Sequence, residues 1–192
     1  MKDVPEDSNE RECNARECNT RERSANAVEE PLAERIDGRI YIMRKPKRWH
    51  QRIVRILKEM IEEYRKKNPG LCEVRTAPFG LTLAGGGTTY LIPDLCVILD
   101  RGKLTEHGCN GAPEIVIEVV APESQYMDYR IKLTRYRNAG VKEYWIVDRD
   151  WDHGYVYYFD DGDMDLASFS GALGSRVCRG LVFDFSRLKH QK

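Results

Sequence analysis

The chain has 192 residues, 41% hydrophobic and 32% charged, which is the composition of a globular domain long enough to bury one core. Its apolar runs, such as Leu95 to Leu99, are too short to span a bilayer, and the charged start Met1-Lys2-Asp3 lacks a signal-peptide core, so a cytoplasmic protein with no membrane partner is expected. Net charge is zero, yet Arg44 to Lys67 holds ten Lys and Arg against three Glu, Tyr129 to Lys142 holds five and no acid, and Asp148 to Asp165 holds seven Asp against Arg149. The surface is therefore dipolar, and only its basic part can face phosphates.

Residues 9 to 23 run Asn-Glu-Arg-Glu-Cys, Asn-Ala-Arg-Glu-Cys, Asn-Thr-Arg-Glu-Arg, a five-residue near-repeat with almost no apolar content. Such a segment cannot offset the entropy of ordering, so residues 1 to 30 read as a charged, disordered tail and residues 31 to 192 as one domain. Removing residues 1 to 30 should shift a thermal melt by less than about 3 °C, worth roughly 1 kcal/mol at this size. A larger drop would show that the tail is docked.

Glu34 starts a strand-like stretch with Ile36, Ile40 and Ile42. Trp49, Ile53, Leu57, Met60, Ile61 and Tyr64 recur at helical spacing, predicting an amphipathic helix ended by Asn68-Pro69-Gly70. His50 lies on its Val54, Leu57 and Ile61 stripe, as a core or an active-site residue. Short strands are expected over Cys72 to Thr76 and Gly80 to Ala84. Gly85-Gly86-Gly87 reads as a hairpin turn, lacking the lysine of a phosphate loop, and Tyr90 to Leu99 as one strand. Glu114 to Val120 is nearly all apolar and β-branched, the mark of a central strand covered on both faces. Asp128 to Ala139 reads as a helix with core stripe Tyr129, Leu133 and Tyr136, capped by Gly140. Val141 to Asp148 and Tyr155 to Phe159 are strands, and a last hairpin is expected between Met164 and Phe185. This order predicts an α/β (α+β) sandwich, a mixed sheet flanked by helices.

The six cysteines do not form a zinc pattern: Cys13, Cys18 and the His107-Gly-Cys109 pair match no ligand spacing, while Cys72 and Cys96 sit in apolar runs as small hydrophobes. Asp94 and Glu118 carry a stronger signal. Each is a carboxylate inside an apolar run, costly unless paired, hydrogen-bonded or metal-bound. Two such acids approaching each other repel, and a divalent cation relieves the repulsion; hard oxygen ligands suit Mg²⁺ or Mn²⁺. Pairing with arginine, or a place at a solvent-facing strand end, is the plainer alternative.

Pro93-Asp94, Ile117-Glu118-Val119-Val120-Ala121-Pro122-Glu123-Ser124, Asp128-x-x-x-Lys132 and Tyr136-x-x-x-Gly140-Val141-x-Glu143-Tyr144-Trp145-Ile146-Val147-Asp148 follow one another in an order that resembles the Uma-two family. That is a bacterial group described as restriction endonucleases (domain of unknown function 820) in the PD-(D/E)xK superfamily. Glu34-Arg35-Ile36-Asp37-Gly38 is similar to its opening motif, and His50 to the histidine that begins its first long helix. The resemblance implies a restriction-endonuclease-like core with Asp94 and Glu118 on neighbouring strands as metal ligands. The superfamily's lysine, two residues after the glutamate, is replaced here by Val120. Lys132 is the candidate replacement, with Asp128 on the same helix face; a plain surface ion pair is the other reading of these two. Glu34 and His50 are possible accessories. The expectation is a Mg²⁺-dependent endonuclease cutting double-stranded DNA, in a superfamily that also allows homodimers. Its rival is a catalytically inactive module that keeps the fold to bind nucleic acid or protein.

Overall fold

The computed structural model describes residues 31–83 and 88–189. The tail, Cys13, Cys18 and the Gly85-Gly86-Gly87 turn lie outside them. In chain order the elements are β1 (Ala33–Ile36), β2 (Arg39–Ile42), α1 (Arg48–Lys67), β3 (Glu73–Thr76), β4 (Gly80–Thr82), β5 (Tyr90–Leu91) and β6 (Leu95–Ile98). Then come β7 (Leu104–Thr105), β8 (Gly108–Asn110), β9 (Ile115–Val120), a π-helical turn (Met127–Lys132) and α2 (Leu133–Ala139). The rest is β10 (Glu143–Asp148), β11 (His153–Tyr158), β12 (Asp163–Ser168), β13 (Ala172–Gly174) and β14 (Val182–Asp184).

The architecture is a mixed α+β fold. The larger sheet has the order β12-β11-β10-β9-β6-β3, and the smaller β2-β1-β5-β4-β8-β7. In the larger sheet β9 and β10 run parallel and the other neighbours antiparallel. Every residue of β9 and β10 is buried, as their apolar runs predict for strands covered on both faces. On one face Ile53, Leu57 and Ile61 of α1 pack with Ile115, Ile117 and Val119 of β9 and with Phe183 and Phe185. On the other, Val116, Val120, Tyr144 and Ile146 meet Tyr136 of α2 and Ile36, Leu81 and Leu91 of the smaller sheet.

Three sequence expectations need correction. Tyr90 to Leu99 is not one strand: it divides into β5 in the smaller sheet and β6 in the larger. Pro93 has no N–H for a ladder, and the Asp94 N–H donates to a side chain, Glu118 Oε2 at 3.3 Å, so the strand breaks where Asp94 is needed. The final hairpin is β13 with β14, whereas Met164 belongs to β12, which pairs with β11. The helix after β9 starts as a π turn, and its buried stripe is Asp128, Lys132 and Tyr136, with Tyr129 and Leu133 half-buried. Polar residues occupy the inward face because each finds a buried partner there.

Glu143 is buried too, and its role is structural. Its carboxylate accepts from Trp145 Nε1 (2.9 Å), Ser175 Oγ (3.2 Å), Arg176 N (2.6 Å) and Val177 N (2.8 Å), pinning the segment that leads into β14. Glu143→Ala orphans all four donors and should cost about 3 kcal/mol, lowering the melting temperature by roughly 6–12 °C. A shift below about 2 °C in a calorimetric scan would contradict that role.

Candidate active site

The pairing register brings the two acids together. Leu95 of β6 faces Ile117 of β9, so Asp94, one residue before β6, comes beside Glu118. Asp94 Oδ2 accepts from Val119 N at 2.8 Å and lies 3.2 Å from His50 Nε2, in the first turn of α1. Glu118 Oε1 accepts from Lys132 Nζ at 3.0 Å and from Tyr136 Oη at 2.9 Å. The same ammonium lies 3.0 Å from Glu34 Oε1 and 3.9 Å from Asp128 Oδ1, so Asp128 and Lys132 are not a surface pair. Glu34 Oε1 also accepts from Ile92 N at 2.9 Å, tying β1 to the Pro93-Asp94 break. Asp128 Oδ2 accepts from Ser124 Oγ at 2.5 Å, and the Asp128 carbonyl accepts from Tyr144 Oη at 3.1 Å. All six residues singled out from the sequence thus meet in one place. Tyr136 and Ser124 were missed as members; both are hydroxyls that an apolar-stripe or turn pattern hides.

Glu34, Glu118, Asp128 and Lys132 are all buried, while the Asp94 side chain keeps 16% of its surface exposed, the most open acid of the group. Val120, in the superfamily's lysine place, is buried in the apolar core and supplies no charge. Lys132 reaches Glu118 instead from the helix that follows β9.

A family model described as "Putative restriction endonuclease" (Uma2) matches residues 23–185. The chain belongs to the Uma2 family. The match begins within the segment read as a tail and covers every residue of the site. A crystal structure described as "a putative nuclease belonging to DUF820 from Anabaena variabilis ATCC 29413" superposes with a TM-score of 0.71 at 16% identity, covering 89% of this chain and 97% of that one. This likeness shows that the two share a fold. No curated protein matches the chain.

The electrostatics of this Uma2 site follow from its charge balance. Glu34, Asp94, Glu118 and Asp128 face one ammonium and one imidazole. Burial raises the Glu118 pKa well above the usual carboxylate range against the pull of Lys132, and Asp94, Asp128 and Glu34 push it further. Burial likewise pushes Asp128 up to about 6 against Lys132 and the Ser124 hydrogen bond. Burial works against the Lys132 charge, but Glu118, Glu34 and Asp128 outweigh it and hold the ammonium firmly protonated. For His50 burial lowers the pKa, and the hydrogen bond and charge of Asp94, with the Val119 backbone and the Asp128 charge, more than reverse it.

Among the described residues no three His, Cys, Asp or Glu side chains converge into a metal cage of their own. A hard divalent cation can be held by as few as one or two carboxylates, its other positions kept by water. The donor chemistry fits: two adjoining carboxylates with more buried negative than positive charge around them. No described helix is long and apolar enough to cross a membrane.

Proposed function

We propose that this Uma2 protein is a metal-dependent endonuclease hydrolysing phosphodiester bonds in DNA. The observation that carries the reading is the Asp94–Glu118 pair, set side by side by the β6–β9 register with a buried ammonium against Glu118. Asp94 and Glu118 would hold the ion, Mg²⁺ or Mn²⁺. When bound, it lowers the pKa of a water and stabilises charge on the scissile phosphate.

The chain's own residues prepare this chemistry. Val119 N–H and His50 orient the Asp94 carboxylate, and Tyr136 and Lys132 fix Oε1 of Glu118. Glu34 and Asp128 hold the Lys132 ammonium in place, where it steadies negative charge developing on the phosphate. The basic run along α1 would track the DNA backbone through salt-sensitive contacts.

Nicking of a supercoiled plasmid tests the reading. Wild type should nick with Mg²⁺ or Mn²⁺ and stop with EDTA, and Glu118→Ala should not nick at all. A folded wild type that binds plasmid but never nicks it would favour the inactive binding module instead.

A further inference from the structure

A cavity of about 290 Å³ opens beside the site, with Asp94 and His50 in its wall. Val54 and Pro46 supply apolar surface, Gln51 and Thr76 polar atoms, and Arg55 and Lys58 positive charge. This volume lies just below the range of ligand pockets, roughly 300–1,000 Å³, and the space is open to solvent on one side, which suits one nucleoside-sized group. A base stacked inside a duplex cannot enter such a space.

A second observation is independent of the cavity. Trp151 is 65% exposed in the turn after β10, and Tyr126 is 70% exposed in the segment after β9. Both segments lie against the start of α1: Arg149 sits over the Trp49 ring at 4.2 Å, and Lys47 pairs with Glu123 at 3.0 Å. Sheet order and register put the end of β3, Asp94, the end of β9 and the end of β10 in a row along one sheet edge. That row spans three strand spacings, roughly 14 Å. Exposed aromatic rings are what unpaired bases stack on; Trp151 stands between Asp150 and Asp152, so its ring offers stacking rather than charge.

We propose that the strand is unpaired where it crosses this site, one nucleotide entering the cavity beside Asp94 and its neighbours stacking on Trp151 and Tyr126. The Lys58 and Arg55 charges take the phosphate of the buried nucleotide, and Val54 lies against its base. The proposal rests on the nuclease reading for its substrate, but its test does not depend on cleavage.

Anisotropy of a fluorescein-labelled single-stranded 20-mer is compared with its blunt duplex, both in Ca²⁺ so that cutting does not interfere. The single strand should bind at least about 10-fold more tightly. Trp151→Ala, at an exposed position, should weaken the single strand roughly 5- to 100-fold and the duplex little. Val54→Trp, which fills the cavity, should weaken it about 10-fold with Mn²⁺ affinity unchanged. Equal or tighter duplex binding, with Trp151→Ala indifferent on both ligands, would overturn the proposal. Single-strand preference lost in Trp151→Ala, with no nicking by wild type under any metal, would refute the nuclease reading and sustain this one.

Discussion

Asp94→Asn and Glu118→Gln should each lower Mn²⁺ affinity at least about 100-fold in a calorimetric titration, while the folded chain itself becomes no less stable. The reason is the charge excess. Four carboxylates crowd one ammonium and one imidazole, and the Glu118 pKa is raised by burial and by its acidic neighbours. A carboxyl raised in the fold stabilises it while protonated, below its unfolded pKa, and that stability is lost as pH rises through the folded pKa. Wild type without metal should therefore lose stability relative to Glu118→Gln as pH rises from about 4.5, and the variant should melt higher at pH 8. Saturating Mn²⁺ should reverse the order, because only wild type gains binding energy. Unchanged Mn²⁺ affinity in both variants would end the site assignment.

Lys132→Ala should separate chemistry from binding. The ammonium is no metal ligand, so Mn²⁺ binding should persist, and loss of a positive neighbour should even favour the cation. Single-turnover cleavage at saturating protein should fall by about 10² or more, as for other groups that stabilise transition-state charge. Arg135→Ala, on the same helix, should weaken DNA binding modestly without changing that rate. The variant also leaves Glu34, Glu118 and Asp128 buried without their ammonium, which should cost about 3–5 kcal/mol near neutral pH. Asp128, already at about 6 with Lys132 present, must rise further without it, so the deficit should shrink as pH falls through 6. Equal single-turnover rates for wild type and Lys132→Ala would rule out a lysine moved from the strand to the helix.

The sequence showed the site's parts more clearly than its frame. The α1 stripe and the runs of β9 and β10 were legible because each buries a continuous apolar face. The smaller sheet was legible only in part: the stretch from Glu34 to Ile42 and Gly80 to Ala84 read as strands, but β7 and β8 are two or three residues long and too short to show a period. The burial of Asp128 and Lys132 was hidden because a hydrophobic pattern assigns polar residues to solvent. A carboxylate in an apolar strand was a useful signal but not a selective one. Glu118, Glu143 and Asp148 share it, and all three are buried. Glu143 is satisfied by four neutral donors, and Asp148 accepts from Tyr129 Oη at 2.9 Å and from the Asp150 and Trp151 N–H groups. Glu118 alone of the three adjoins other acids and a lysine, and those partners come from β1, the β5–β6 break and the helix after β9, at separations no local pattern spans.

If the Asp94–Glu118 pair is a working metal centre and not a charge cluster left in an inactive fold, cleavage must follow metal occupancy. That dependence is tested most directly by single-turnover cleavage of labelled DNA against Mn²⁺ concentration, in wild type and Asp94→Asn. The rate should saturate in wild type with a midpoint equal to the calorimetric Kd, and the variant should not cleave. Tight Mn²⁺ binding by wild type with no cleavage at any concentration, or cleavage that survives in Asp94→Asn, would contradict it.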